Sequence, residues 1–164
     1  MGDVDRAFAT FDDFDVYELK PNADSFSYLL EALALDVSEE THQSGEEIED
    51  RVMSRVDAAE SVLALMKEDG FPLCNHALHE YVRLLCFAGD TDKALTSIDE
   101  ALETNLLVAN KTLLFLATKF GATGQIEAAR DLASKTTDRW HFLEKRIDTW
   151  EKQFKAQQLP DKDI

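Results

Sequence analysis

The chain has 164 residues, with 33 Asp and Glu against 17 Lys and Arg, a net charge of −16 and 45% hydrophobic residues. That length suits one domain or about four to five helical hairpins, and the acid excess disfavours nucleic-acid backbones, whose binding relies on Lys and Arg displacing counterions. No run of about 18 apolar residues is present, which excludes a membrane-spanning helix, and Cys74 and Cys86 are too few for a disulfide framework and suit a reducing compartment.

The charge is uneven. Residues 1–50 hold fifteen Asp or Glu against Arg6 and Lys20, whereas the rest of the chain is close to neutral. Few Gly and Pro with abundant Ala, Leu, Glu and Lys favour helix throughout. Met1 to Asp5 reads as neither a secretion signal nor an Arg-rich transit peptide, so an intracellular soluble setting is expected.

Residues 3–19 read as the first helix, with Val4, Ala7, Phe8, Phe11 and Phe14 at spacings of three and four. Pro21 ends it by pushing Lys20 out of the helical region. Asp24 or Ser25 is expected to cap the second helix, whose apolar face carries Phe26, Leu29, Leu30 and Leu33. Residues 38–56 interrupt the rhythm with a polar stretch that has Ser44-Gly45 at a loop tip. Its second half can instead extend the next helix backwards through Val52, Met53 and Val56. Ala59, Val62, Leu63 and Met66 then resume the pattern up to Gly70-Phe71-Pro72. Two further hairpins pair Leu78, Tyr81, Val82 and Leu85 with Ala94, Leu95, Ile98 and Leu102. They also pair Leu113, Leu116, Ala117 and Phe120 with Ile126, Ala129 and Leu132 across a Gly121–Gly124 turn. Finally Trp140, Leu143, Ile147, Trp150 and Phe154 step at three and four, which predicts an amphipathic helix over 138–158 with a short tail at 159–164.

Self-similarity is the strongest signal. Ala59, Ala94 and Ala129 are 35 residues apart, as are Gly89 and Gly124. A period of that size marks stacked helical hairpins, in which a repeated small residue lets paired helices approach closely. The expected fold is therefore all-α: an α-solenoid of helix-turn-helix repeats over 1–137 with a C-terminal capping helix.

Ala88-Gly89 with Ala94, Gly124 with Ala129, Ala59 with Met66 and Asp69-Gly70-Phe71-Pro72, and Ala7 with Phe14 and Pro21-Asn22 together resemble the pentatricopeptide repeat family. The match divides the chain into a half unit at 2–22 and units at 23–74, 75–109 and 110–144, the last overlapping the cap. The second unit carries a 17-residue insertion near 38–56. A start half way through a unit reads as a fragment of a longer protein, or as an end that docks on something else. Tetratricopeptide repeats, at about 34 residues, are the nearest rival and would make the chain a peptide-binding module.

The resemblance implies organellar RNA metabolism, in a mitochondrion or plastid, with one base read per repeat by the fifth and last residues of each unit. On this chain those pairs are Ser27 with Cys74, His79 with Ala109 and Leu114 with Glu144, and none fits the family's base code. Candidate RNA-facing groove residues are Asn22, Asp24, Ser27, His76, His79 and Lys111. Lys111 is the single cation among the second, fifth and last positions. The reading that results is a non-catalytic scaffold for a protein partner, basic or part of a ribonucleoprotein such as a ribosome, with direct single-stranded RNA binding as the alternative.

Glu46, Glu47, Glu49 and Asp50 are the candidate acidic partner-binding residues, steered by long-range charge. The seam Trp140, Leu143, Ile147, Trp150 and Phe154 is the candidate cap or partner-helix surface. Cys74, His76 and His79 are the one cluster with ligand chemistry, but a closed zinc site wants four ligands. The acidic run Asp12, Asp13 and Asp15 lacks the alternating oxygens and central Gly of a calcium loop. No Gly-rich phosphate loop, GxSxG or HExxH motif appears. No cofactor and no enzymatic activity are expected.

Overall fold

A computed structural model of the chain describes residues 3–40, 46–135 and 141–158. The described residues form eight helices and no strand, an all-α protein. The helices fall into two compact units, Met1–Ala109 and Asn110–Ile164.

The first unit holds α1 (Asp3–Val16), α2 (Ala23–Glu40), α3 (Glu46–Glu68), α4 (Asn75–Phe87) and α5 (Thr91–Glu103). Helix α2 packs on α1, α3 and α4, and α4 packs on α3 and α5. Its core joins Phe26, Leu30 and Leu33 of α2, Ala59, Val62 and Met66 of α3, Leu78, Val82 and Leu85 of α4, and Ala94 and Ile98 of α5. Ala59 and Ala94 are fully buried, as the repeated small residue requires.

Helix ends are set by local chemistry. Asn22, rather than Asp24 or Ser25, caps α2. Its Oδ1 accepts from the Ser25 N–H at 3.0 Å, and the Ser25 hydroxyl returns by accepting from the Asn22 N–H at 3.2 Å. This reciprocal arrangement satisfies donors that the first turn leaves free. Cys74 caps α4 through Sγ, and Asp90 caps α5 by accepting from the Lys93 N–H at 3.0 Å.

The C-terminal ends repeat one motif. Glu18, Gly70, Gly89, Asn105 and Gly124 all have positive φ, between 55° and 82°. In each case the following N–H bonds to a carbonyl five residues back, as Phe71 does to Met66 at 3.0 Å and Asp90 to Leu85 at 2.9 Å. Gly70 and Asn105 are 35 apart, Gly89 and Gly124 are 35 apart, and Glu18 and Gly70 are 52 apart. The backbone therefore carries the same period as the alanines, with the insertion counted once.

That insertion is built differently from a polar loop. Residues 38–40 complete α2 and 46–56 belong to α3, so the extra length sits largely in two long helices of 18 and 23 residues. Val37 and Val56 are buried. Asp36 of α2 accepts from Arg51 at 3.1 Å and Arg55 at 2.8 Å of α3, which ties the extensions together.

Helix α1 stops at Val16, three residues short of the sequence expectation, because Glu18 enters the left-handed region. Of its five-residue stripe only Val4 is buried. Phe11 leans on Phe14 and Phe26 with ring centroids 5.8 and 5.2 Å apart.

The second unit packs α6 (Asn110–Ala122), α7 (Ile126–Ser134) and α8 (His141–Gln158) against one another. Leu116, Phe120, Ala129, Leu132, Leu143 and Ile147 are its core. Gly121 lies inside α6, not in the turn, and a Cβ there would meet the Trp150 indole at 2.3 Å. Arg130 of α7 adds ion pairs to Asp148 at 2.9 Å and Glu151 at 2.6 Å of α8.

Candidate functional site

Of the positions that would face RNA, Ser27 and His76 lie where α2 meets α4, whereas Lys111 belongs to α6 of the second unit. Ser27 is fully buried. Its hydroxyl donates to the Ala23 carbonyl at 2.9 Å and lies 3.3 Å from the Cys74 Sγ. Ser27 and Cys74 are thus neighbours, closed on each other. Cys74 has a structural reason for its place, since its sulfur also accepts from the Ala77 N–H at the start of α4.

Asn22 is exposed with its carbonyl oxygen engaged in the α2 cap. Asn22 and Cys74, each directly before a helix, cap α2 and α4. His76 Nε2 lies 3.3 Å from Glu31 of α2, and its ring meets Tyr28 edge-on at 5.5 Å. His79 is half-buried, and Asp24 and Lys111 are exposed. Cys74 and His76 therefore turn to different partners, and among the described residues no three His, Cys, Asp or Glu side chains converge as a metal site would need. Asn75, opening α4, clamps the segment after α5: its amide donates to the Leu107 carbonyl at 2.8 Å and accepts from the Ala109 N–H at 2.7 Å.

The acidic candidates open α3. Glu49 and Asp50 are exposed, while the side chains of Glu46 and Glu47 lie outside the described residues. Carboxylates in a first turn also favour the positive end of the helix dipole, so they serve the helix whether or not they meet a partner. Asp5, Asp12, Asp13 and Asp15 are likewise exposed along α1.

In the C-terminal seam, Leu143 and Ile147 are fully buried, Trp150 and Phe154 are half-buried, and Trp140 lies outside the described residues. Trp150 covers Gly121 and Phe154 covers Gly124, where a Cβ would meet the Phe154 ring at 2.3 Å. The two glycines let α8 lie close on the α6–α7 hairpin.

Sequence reasoning missed a polar knot joining α3, α4 and α5. The Glu60 carboxylate accepts from the Tyr81 hydroxyl at 3.2 Å and from Lys93. Burial, then the Glu60 charge, pushes the Tyr81 phenol well above its ordinary value. The hydrogen bond to Glu60 raises Lys93. No residue spacing announces this contact, because its members come from three helices.

Two openings appear in the first unit. One of about 680 Å³ lies among Leu63, Met66, Phe71, Leu78, Ala101 and Leu106. The other, of about 370 Å³, lies between α1 and α2, lined by Ala7, Phe11, Phe14, Tyr28 and Leu29 with Asp3 and Arg6 at its edge. Among the described residues no helix is long and apolar enough to cross a membrane. No protein-family model matches the chain, and no curated protein matches it in sequence.

Proposed function

We propose that this chain is a non-catalytic helical-repeat scaffold of the pentatricopeptide type, a stack of hairpins that binds a basic protein segment in organellar RNA metabolism or translation. The observation that carries the reading is the Ser27–Cys74 contact. In the unit at 23–74 the two candidate base-reading positions bond each other and Ser27 is withdrawn from solvent. A base edge gains hydrogen bonds only from exposed groups. The exposed carboxylates of α1 and of the α3 start oppose a phosphate backbone and favour a Lys- and Arg-rich partner.

Charge reversal tests this reading. A variant with Glu46, Glu47, Glu49 and Asp50 each changed to Lys is compared with the parent chain, its helicity checked by circular dichroism. Both are titrated with a Lys-rich helical peptide and with a random single-stranded RNA pool. The scaffold reading predicts loss of the peptide and at most weak, salt-sensitive RNA binding by the variant. Peptide binding unchanged by reversal would overturn acidic docking at this segment.

A further inference from the structure

The α1–α2 groove is an incomplete copy of a site that the chain fills elsewhere. Ala59 of α3 and Ala94 of α5 occupy one register and are both fully buried, each against the helix preceding it in its hairpin. Ala7 occupies that register in α1, 52 residues before Ala59, and it is only half-buried and lines the groove. The neighbouring helices show the same contrast. Helix α4 buries Ala77, Glu80 and Leu84. The positions 52 earlier in α2 are Ser25 and Ala32, both half-buried, and Tyr28, which is 62% exposed. Two helices that would share one more partner thus present their contact faces to solvent together. The apolar surface continues past the groove: Val16 and Tyr17 are 72% and 69% exposed, where α3 carries Glu68 and Asp69 in the same register.

The chemistry around the groove specifies the occupant. Asp3 and Arg6 edge it, and Asp5, Asp12, Asp13, Asp15 and Asp24 are further exposed carboxylates of the two helices that form it, with Arg6 the single cation of α1. A second copy of the chain would bring the same carboxylates face to face, and like charges across an interface are disfavoured. A single-stranded nucleic acid would meet the same repulsion. Ala7 sets a close approach, and the flanking Phe11, Phe14 and Tyr28 form an aromatic cradle of the kind in which an amphipathic helix seats an apolar face.

Building on the scaffold reading, we infer that the α1–α2 groove docks one amphipathic helix of a partner protein, small and apolar on the face toward Ala7 and rich in Lys or Arg on its flanks. The docked helix lies along the Ala7 face of α1 and along α2.

Stapled helical peptides of 13 residues, the length of α4, provide the test. They share one Ala- and Leu-lined face and carry Lys, Gln or Glu on the flanks. Binding to the full chain is followed by fluorescence anisotropy at about 50 and about 200 mM salt. The Lys peptide binds one to one, the Gln peptide binds more weakly, and the Glu peptide does not bind. Tyr28→Asp, which places charge on the cradle, and Ala7→Leu, which fills it, each weaken the Lys peptide about tenfold, the loss of one central contact, with circular dichroism unchanged. Lys-peptide binding unaffected by both variants would show diffuse charge attraction and overturn the groove. So would absence of Lys-peptide binding, or self-association of the chain abolished by Tyr28→Asp. Those results leave the scaffold reading standing, whereas selective RNA binding by the parent chain would remove it.

Discussion

Gly124 carries two separable constraints. Its φ of +75° falls in the left-handed region, and a Cβ there would lie 2.3 Å from the Phe154 ring. Left-handed backbone costs a non-glycine residue about 1–2 kcal/mol, and forcing an extra carbon into a packed contact adds about 1–3 kcal/mol. Phe154 is half-buried, so its ring can tilt toward solvent and the steric part falls at the lower end. Gly124→Ala is therefore expected to destabilise the second unit by about 2–3 kcal/mol. In a Phe154→Ala background the steric part vanishes and the same substitution costs about 1–2 kcal/mol. Urea unfolding monitored by tryptophan fluorescence reads all four corners of the cycle, because Trp150 lies in the same unit. Gly89→Ala supplies the comparison in the first unit, with φ +80° and nothing within 4 Å of the added carbon. Strict additivity of Gly124→Ala and Phe154→Ala would refute the placement of α8 on that turn.

Other expectations follow from the same geometry. Glu18 has φ 55°, so Glu18→Gly relieves strain and raises stability by about 0.5–1 kcal/mol after the added unfolded-chain entropy; thermal unfolding checks the sign. Asp36→Ala removes the acceptor of Arg51 and Arg55 and costs about 1–2 kcal/mol, less at high salt, as denaturant titrations at two ionic strengths will show. Tyr81 holds its proton more tightly when folded, from burial first and Glu60 second. Its contribution is complete below the unfolded phenol value of about 10 and is lost as pH rises from there toward the higher folded value. Lys93, raised by its bond to Glu60, acts in the same direction. Tyr81→Phe should flatten the alkaline fall in melting temperature, and an unchanged slope would contradict the assigned environment. In acid the order reverses at Glu151, which Lys155 first and Arg130 second hold below the ordinary carboxylate range. That contribution is present above the unfolded value and fades as pH falls through the folded one.

Periodicity made much of this architecture legible. The 35-residue spacing of alanines and glycines reappears as fully buried alanines and left-handed helix ends, because both depend on single residues with narrow steric requirements. Glu18 and Asn105 adopt the same conformation without glycine, and composition gave no sign of them. Asp24 and Ser25 looked like caps by residue type, yet Asn22 performs that role because it directly precedes the helix. The polar stretch at 38–56 read as an interruption because its carboxylates and serines outnumber its apolar residues. Burial of Val37 and Val56 and the Asp36 pairs show why most of it is helical. Ser27 illustrates the limit for sites. Its hydroxyl meets the Cys74 sulfur, and whether a polar side chain meets solvent or its neighbour depends on how two helices approach.

The most direct measurement is the affinity of the parent chain for a random single-stranded RNA pool at two salt concentrations. A scaffold whose Ser27–Cys74 pair is sealed and whose α1 face is acidic gives no saturable binding, even at low salt. Salt-sensitive binding that enriches particular sequences would contradict that account and make the repeat an RNA reader.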